Sequence, residues 1–465
     1  MCGTMGSGDK PRNDTEWTWL RFEYLDSFRA LTVSEPSGAF PREFFYGLAC
    51  LQNHRASFPS MASHILSKIT VVDMTEGVAG PYAATLLGDM GANVIKIERP
   101  DGDWSRTSGK GDLASVGTAT FISLNRNKRN LGLDLAAPGG REIIERLISR
   151  ADVVLSNYRA GVMAKLGLDY ARCRELSPGI IYCTVSGFGQ EGPYAGYPAS
   201  DTIMQAMTGV MSVVGEADGP PLRVGFPLID MTAANHAVQA VLLALYDRAN
   251  GQPGGQPGAE IDISLMAAGV ALMNPLLTDY MASGRVAQRQ GNQNTSLAPA
   301  GAFEVACRRY ITIAVLRDEH WRKFCAAMDL GHLVDDERFR SNAVRLKNRA
   351  ALDAIIVPLL KTQSSEVWLE RLRKADILCG PINTLADVAA DPAIADYLPL
   401  IDPGLPGVAR VMGTPIRFNG EYFTADKPPP AKGQHTREVL GELQFSAAEI
   451  EAFVQSGGAF DAASG

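Results

Sequence analysis

From Ile69 onward the chain alternates short apolar runs with amphipathic segments. ITVVDM reads as a buried strand and TEGVAG as a loop. PYAATLLGDM reads as a helix with Pro81 in its first turn and Gly91 near its end. ANVIKIE is the next strand, so these pieces form a βαβ unit and predict a parallel sheet with helical cover. REIIERLISR (141–150) predicts a helix and ADVVLSN a strand, followed by a helix over 160–173 and the strand GIIYCTVSGF. The strand-like LGLDL follows the basic stretch NRNKRN (125–130). Helical character returns at 201–213, and an apolar run through Asp230 leads into a long, mostly apolar helix over 231–249. GQPGGQPGAE (251–260) is a flexible turn ahead of IDISLMAAGVALMN.

The texture changes at Gly291. GNQNTSLAPAGAFEVACRRYITIAVL reads as loop, strand, turn, strand, and HWRKFCAAM and SSEVWLERLRK are amphipathic helices. The fold class expected is α/β: a parallel sheet domain over 65–284, a smaller α+β domain over 285–385, and a tail at 386–465 carrying DKPPPAKGQHT and the helix SAAEIEAFVQ. Residues 1–64 are turn-rich with scattered aromatics and no visible site. They read as a packed extension, a partner arm, or sequence ahead of a start near Met61.

With 465 residues, 46% of them hydrophobic, the chain can bury a large core. Its formal charge of −7 argues against nonspecific nucleic-acid binding while allowing a local basic pocket for an anion. The seven cysteines form no CxxC and the six histidines no metal spacing, so no metal is expected and a reducing cytoplasm fits. The apolar segments are interrupted by Gly, Asp, His or Arg, so no membrane span is expected, and the first 25 residues lack a signal core.

Candidate chemistry sits in four places. The loop Thr75 to Pro81, containing Glu76, Gly77, Val78 and Ala79, has GxxG spacing rather than the dinucleotide GxGxxG. Its glycines suit either tight packing or a ligand at the carboxyl ends of parallel strands. Lys96, Arg99, Arg126, Lys128, Arg129 and Lys165 are either a polyphosphate-binding set or a solvated surface. Asn157, Tyr158 and Arg159 end a strand where ligand contacts are plausible, although capping explains Asn157 equally well. Asp230 stands at a helix start, where it reads as a cap or as a carboxylate held ionised by unpaired N–H groups and able to act as a nucleophile.

Taken in order, VVDMTEGVAGPYAATLLGDMGANVIKIERPDGD, NRNKRNLGLDL, ADVVLSNYRAGVMAKLGLDY, GIIYCTVSGFGQEGP, SDTIMQAMTGVMSVVG, Asp230 with its helix, ILCGPINTLADVAADP and PPPAKGQHT resemble the class III CoA-transferases, the family that also contains alpha-methylacyl-CoA racemases. The resemblance implies a doubly wound large domain built from both ends of the chain, a smaller domain between, and an interlocked homodimer. It implies coenzyme A or acyl-CoA as substrate with a small organic acid, and no prosthetic group. It places Glu76, Gly77, Val78 and Ala79 near CoA, Arg99 at its nucleotide end, and Arg126, Lys128, Arg129 and Lys165 among nucleotide or phosphate contacts. Asn157 and Tyr158 would line the CoA channel, and Asp230 falls on the catalytic aspartate. Backbone N–H groups near Asp230 or the glycine-bearing small-domain loop at Gly291 are then expected to stabilise oxyanions.

The family's racemases carry histidine immediately before the aspartate that here is Asp201, where this chain has Ser200. A serine hydroxyl cannot replace imidazole as a general base, so transfer is expected rather than racemisation. Asp201 is expected to orient a loop or cap a helix, and Arg223 or Arg289 to meet a distal carboxylate.

Overall fold

The computed structural model describes residues 65–108, 116–251, 257–408, 410–424 and 427–462; the expectation for residues 1–64 lies outside them. The predicted apolar runs form strands β1 (Thr70–Met74), β2 (Asn93–Glu98), β3 (Lys128–Leu133), β4 (Val153–Ser156), β5 (Ile181–Ser186) and β6 (Ala259–Ser264). They pair in the order β3-β2-β1-β4-β5-β6, every neighbour parallel. This is the doubly wound order, in which the chain starts in the middle and winds outward to each side.

Two apolar layers sandwich the sheet, because consecutive strand residues point to opposite faces. Val71, Val94, Val153 and Cys183 pack under helices α1 (Ala79–Asp89) and α4 (Leu228–Asn250). Val72, Ile95, Leu131, Val154 and Tyr182 pack under α2 (Gly140–Ile148) and, from the chain's C-terminal part, the helix Thr436–Glu442. The tail also adds a short antiparallel strand (Ala459–Phe460) beside β3, so the sheet is mixed at that edge. Residues Ala300–Glu304, Tyr310–Ala314 and Leu378–Pro381 form a separate antiparallel sheet with its own core around Trp321, Phe324, Phe339 and Trp368.

Three local expectations change. The segment 160–173 is not one helix. It is two, Val162–Lys165 and Tyr170–Leu176, separated by Gly167 at φ 63° and by Asp169, whose side chain caps the second helix. Gly209, at φ 87°, likewise splits 201–213 into α3 (Asp201–Met207) and a short turn of helix. Strand β3 begins at Lys128, inside the basic stretch rather than after it, and all six of its residues are buried. Helix α4 is long and apolar enough to span a bilayer by length and composition. Here Ile229, Ala233, Ala237 and Val241 of that helix are buried within the core layer it shares with the sheet.

Candidate active site

The strand order reverses between β1 and β4, and the loops leaving their carboxyl ends diverge there. Open α/β sheets hold ligands at such a switch point. A cleft of about 390 Å³ occupies it, lined by Glu76 and Val78 after β1, Asn157 and Arg159 after β4, Ser186 and Gly187 at the end of β5, and Asp230. Trp104, Tyr197, Asp201 and Leu265 complete much of the wall.

The β1 loop is built from below by buried charges. Lys96 Nζ donates to the Thr75 carbonyl at 2.7 Å and to Asp103 Oδ2 at 2.8 Å. Asp103 Oδ1 accepts the Gly77 amide at 3.1 Å. Gly77 is held at φ 82° with its α-carbon against the Trp104 indole, and a β-carbon there would lie 2.2 Å from the ring. That glycine is therefore needed for conformation and for close approach. Asn157 grips the loop from the other side, donating to the Glu76 carbonyl at 2.7 Å and accepting the Glu76 amide at 3.0 Å. Its side chain touches the cleft, but its hydrogen-bonding groups hold the loop. Tyr158 is not among the residues lining the cleft and packs partly against the core on the other face of the sheet.

The basic residues separate into two groups. Lys128 is wholly buried and donates to Asp73 Oδ2, the Pro81 carbonyl and Asn125 Oδ1 at 2.8–2.9 Å. Burial is the largest influence on its ammonium, whose pKa falls to about 8. Arg126 is buried against Asp89, with Nη2–Oδ2 at 2.5 Å, and Arg129 pairs with Glu438 and Glu442 at 2.7 Å. None of these three lines the cleft, so the expectation of phosphate contacts is corrected to one of internal ion pairs. The physical reason is the early start of β3, which draws charged side chains into layers where each must find a counter-charge. Arg99 and Lys165 remain exposed, Arg99 pairing with Glu76 at 3.0 Å. Arg223 and Arg289 lie outside the cleft lining, as does the Gly291 loop.

Asp230 occupies the first turn of α4 but does not cap it; the residue at the N-cap is Pro227. Capping comes from Asp201, 29 positions earlier, whose Oδ1 accepts the Ile229 amide at 2.7 Å and the Asp230 amide at 3.2 Å. Buried Gln205 clamps the arrangement: its Nε2 donates to Asp201 Oδ2 at 2.5 Å and its Oε1 accepts the Val224 amide at 2.8 Å. Asp201 thus occupies the N–H groups that were expected to hold Asp230 ionised and to serve as oxyanion donors. Among the described residues the Asp230 carboxylate accepts no hydrogen bond. Desolvation first, and the neighbouring Asp201 charge second, push its pKa up to about 7. The expectation of a firmly ionised aspartate is corrected accordingly.

Sequence reasoning missed Trp104 and Gln205. The i,i+4 pairing of Asp201 with Gln205 on one helix was a readable signal; nothing local pointed to Trp104. Ser200, at the racemase histidine position, accepts the Ile203 amide at 3.4 Å as the N-cap of α3. Among the described residues no group of three or more His, Cys, Asp or Glu side chains is placed to hold a metal.

A family model described as CoA-transferase family III matches residues 66–436. Succinyl-CoA:glutarate CoA-transferase of Mus musculus is 32% identical over 396 residues, covering 84% of this chain and 89% of the mouse protein. Acetyl-CoA:oxalate CoA-transferase of Acetobacter aceti is 35% identical, covering 82% of this chain and 96% of its own. The crystal structure of a CAIB/BAIF family protein from Brucella suis superposes with a TM-score of 0.75 at 34% identity, covering 82% of this chain and 99% of that one.

Proposed function

The chain belongs to CoA-transferase family III, and on that footing we propose that it moves CoA from an acyl-CoA donor to a dicarboxylic acid through a covalent thioester on Asp230. The matching family model is described as a CoA-transferase family, and the mouse and Acetobacter relatives are named as CoA-transferases. The single observation carrying the assignment of Asp230 is its carboxylate. It is the one in the switch-point cleft left without a hydrogen-bond donor among the described residues and with its pKa raised to about 7.

An Asp230 oxygen attacks the thioester carbonyl, the C–S bond breaks, and CoA leaves as thiolate, giving a mixed anhydride. The thiolate attacks the aspartyl carbonyl and expels the donor acid, leaving aspartyl-CoA. The acceptor carboxylate then attacks this thioester and displaces the thiolate. Thiolate attack on the acceptor's carbonyl releases the new acyl-CoA and frees Asp230. Each step exchanges one activated carboxyl for another, so no external energy source is required. A carboxylate of raised basicity is the better nucleophile once deprotonated, and water, the competing nucleophile, must be excluded or outcompeted for the cycle to run.

Glu76, Val78 and Ala79 form the wall beside the thioester in this reading, and Arg99 and Lys165 meet the nucleotide end of CoA. We place the enzyme in the cytoplasm as a homodimer. Leu243 and Tyr246 on α4, and Leu276, Tyr280 and Met281 on helix Asn274–Ser283, are exposed large apolar side chains of the kind such an assembly would cover. Incubation with acyl-CoA followed by peptide mass analysis should find CoA on the Asp230 peptide. Asp230→Asn should abolish both adduct and turnover; an adduct surviving in that variant would remove Asp230 from the mechanism.

A further inference from the structure

We propose that Arg159 binds the distal carboxylate of a dicarboxylic acceptor and thereby selects the class of acid that receives CoA. The inference rests on the transferase reading above. The cleft is acidic, with Glu76, Asp201 and Asp230 in its wall, and Arg159 is the one cationic side chain among its described lining residues. The nearby cations are otherwise committed: Lys96 to Asp103, Lys128 to Asp73 and Arg99 to Glu76. Arg159 is exposed and, among the described residues, its guanidinium makes no ion pair with any carboxylate.

Its backbone is nonetheless well placed. Asn157, two residues earlier, is tied to the β1 loop through two hydrogen bonds, and the Arg159 carbonyl accepts the Val162 amide at 3.1 Å. Arg159 thus lines the same cleft as Asp230 from an anchored turn. Its planar fork matches a carboxylate through two parallel N–H···O bonds.

A dicarboxylic acid brings two negative charges into this acidic cleft. One carboxylate must stay free to attack the aspartyl-CoA carbonyl, displacing sulfur with its electron pair as thiolate. The other takes no part in bond making and needs a counter-charge, which Arg159 supplies. A monocarboxylic acid leaves that cation unpaired and gains nothing from it.

The test compares wild type, Arg159→Gln and Arg159→Lys, with acetyl-CoA and succinyl-CoA as donors and glutarate, oxalate, butyrate and acetate as acceptors. Loss of a charge-assisted pair predicts a rise of about ten- to hundredfold in KM for glutarate in the Gln variant, partly restored in the Lys variant. KM for acetyl-CoA, the rate of adduct formation on Asp230 and the melting temperature should stay close to wild type. Equal losses for mono- and dicarboxylic acceptors, or wild type using butyrate as well as glutarate, would overturn the proposal. So would a rise confined to KM for acetyl-CoA, which would assign Arg159 to CoA instead. Absence of the Asp230 adduct in wild type would instead sink the underlying transferase reading, through a separate readout.

Discussion

Replacing Asp201 with Asn takes one negative charge from beside Asp230 while leaving an oxygen for the Ile229 and Asp230 amides. With a pKa of about 7, Asp230 is roughly one-tenth ionised at pH 6, half at pH 7 and nine-tenths at pH 8. Removing a like charge lowers that pKa. Desolvation, the larger influence, remains, so the group stays above the usual carboxylate range. The ionised fraction at pH 6 then rises by up to about tenfold, whereas at pH 8 it has almost no room to rise. The less basic carboxylate is also a poorer nucleophile, which holds the variant at or below wild type at high pH.

A second effect acts on stability. The Asn amide would face Gln205 Nε2 donor to donor where a 2.5 Å bond now stands, costing about 1.5–3 kcal/mol. Single-turnover formation of the CoA adduct between about pH 5.5 and 8.5, with melting temperatures in parallel, separates the two. The ratio of variant to wild-type rate should be several-fold larger at pH 6 than at pH 8. A ratio independent of pH would reduce Asp201 to a helix cap, and a wild-type limb near pH 4 would refute the raised pKa altogether.

Asp230→Asn should stabilise the fold at pH 8 and not at pH 4. The folded pKa lies above the unfolded one, so the penalty for the charged form is absent below about 4 and fully developed above about 7, with an upper bound of about 4 kcal/mol; denaturant melts at both pH values read the difference. Lys128→Ala should destabilise by about 3–5 kcal/mol by leaving Asp73 buried without its counter-ion. A phosphate-binding lysine would instead raise KM for acyl-CoA with an unchanged melting temperature. Gly77→Ala should displace the Trp104 indole and reduce turnover, with a loss of about 1–3 kcal/mol in chemical denaturation. Trp104→Ala in the same chain should recover part of that stability, and strictly additive losses would show that the two do not clash.

The order of strands and helices up to β5 was legible because apolar periodicity is a local property, and Val71–Val72 or Val153–Val154 each announce a strand buried on both faces. Boundaries were less legible. Lys128, Arg129 and Asn130 looked like loop residues because polar side chains rarely enter a central strand, yet each finds a partner inside the protein. The partners of Arg129, Glu438 and Glu442, lie more than 300 positions away, beyond any local pattern.

By itself the sequence determined most of the segments that become strands and helices, and it put candidate ligand loops at the carboxyl ends of parallel strands; the strand order that makes β1 and β4 a switch point came from the structure. The sequence also supplied the aspartate at the start of the long helix. Only the tertiary structure decided the charge that this aspartate carries and which cations are free to meet a substrate. A helix start favours an ionised carboxylate, but Asp201, folded back from 29 positions upstream, occupies the first amides of that helix and sets its own negative charge beside Asp230. Desolvation and long-range Coulomb interaction depend on what surrounds a group in space, which the order of residues along a chain does not specify one segment at a time.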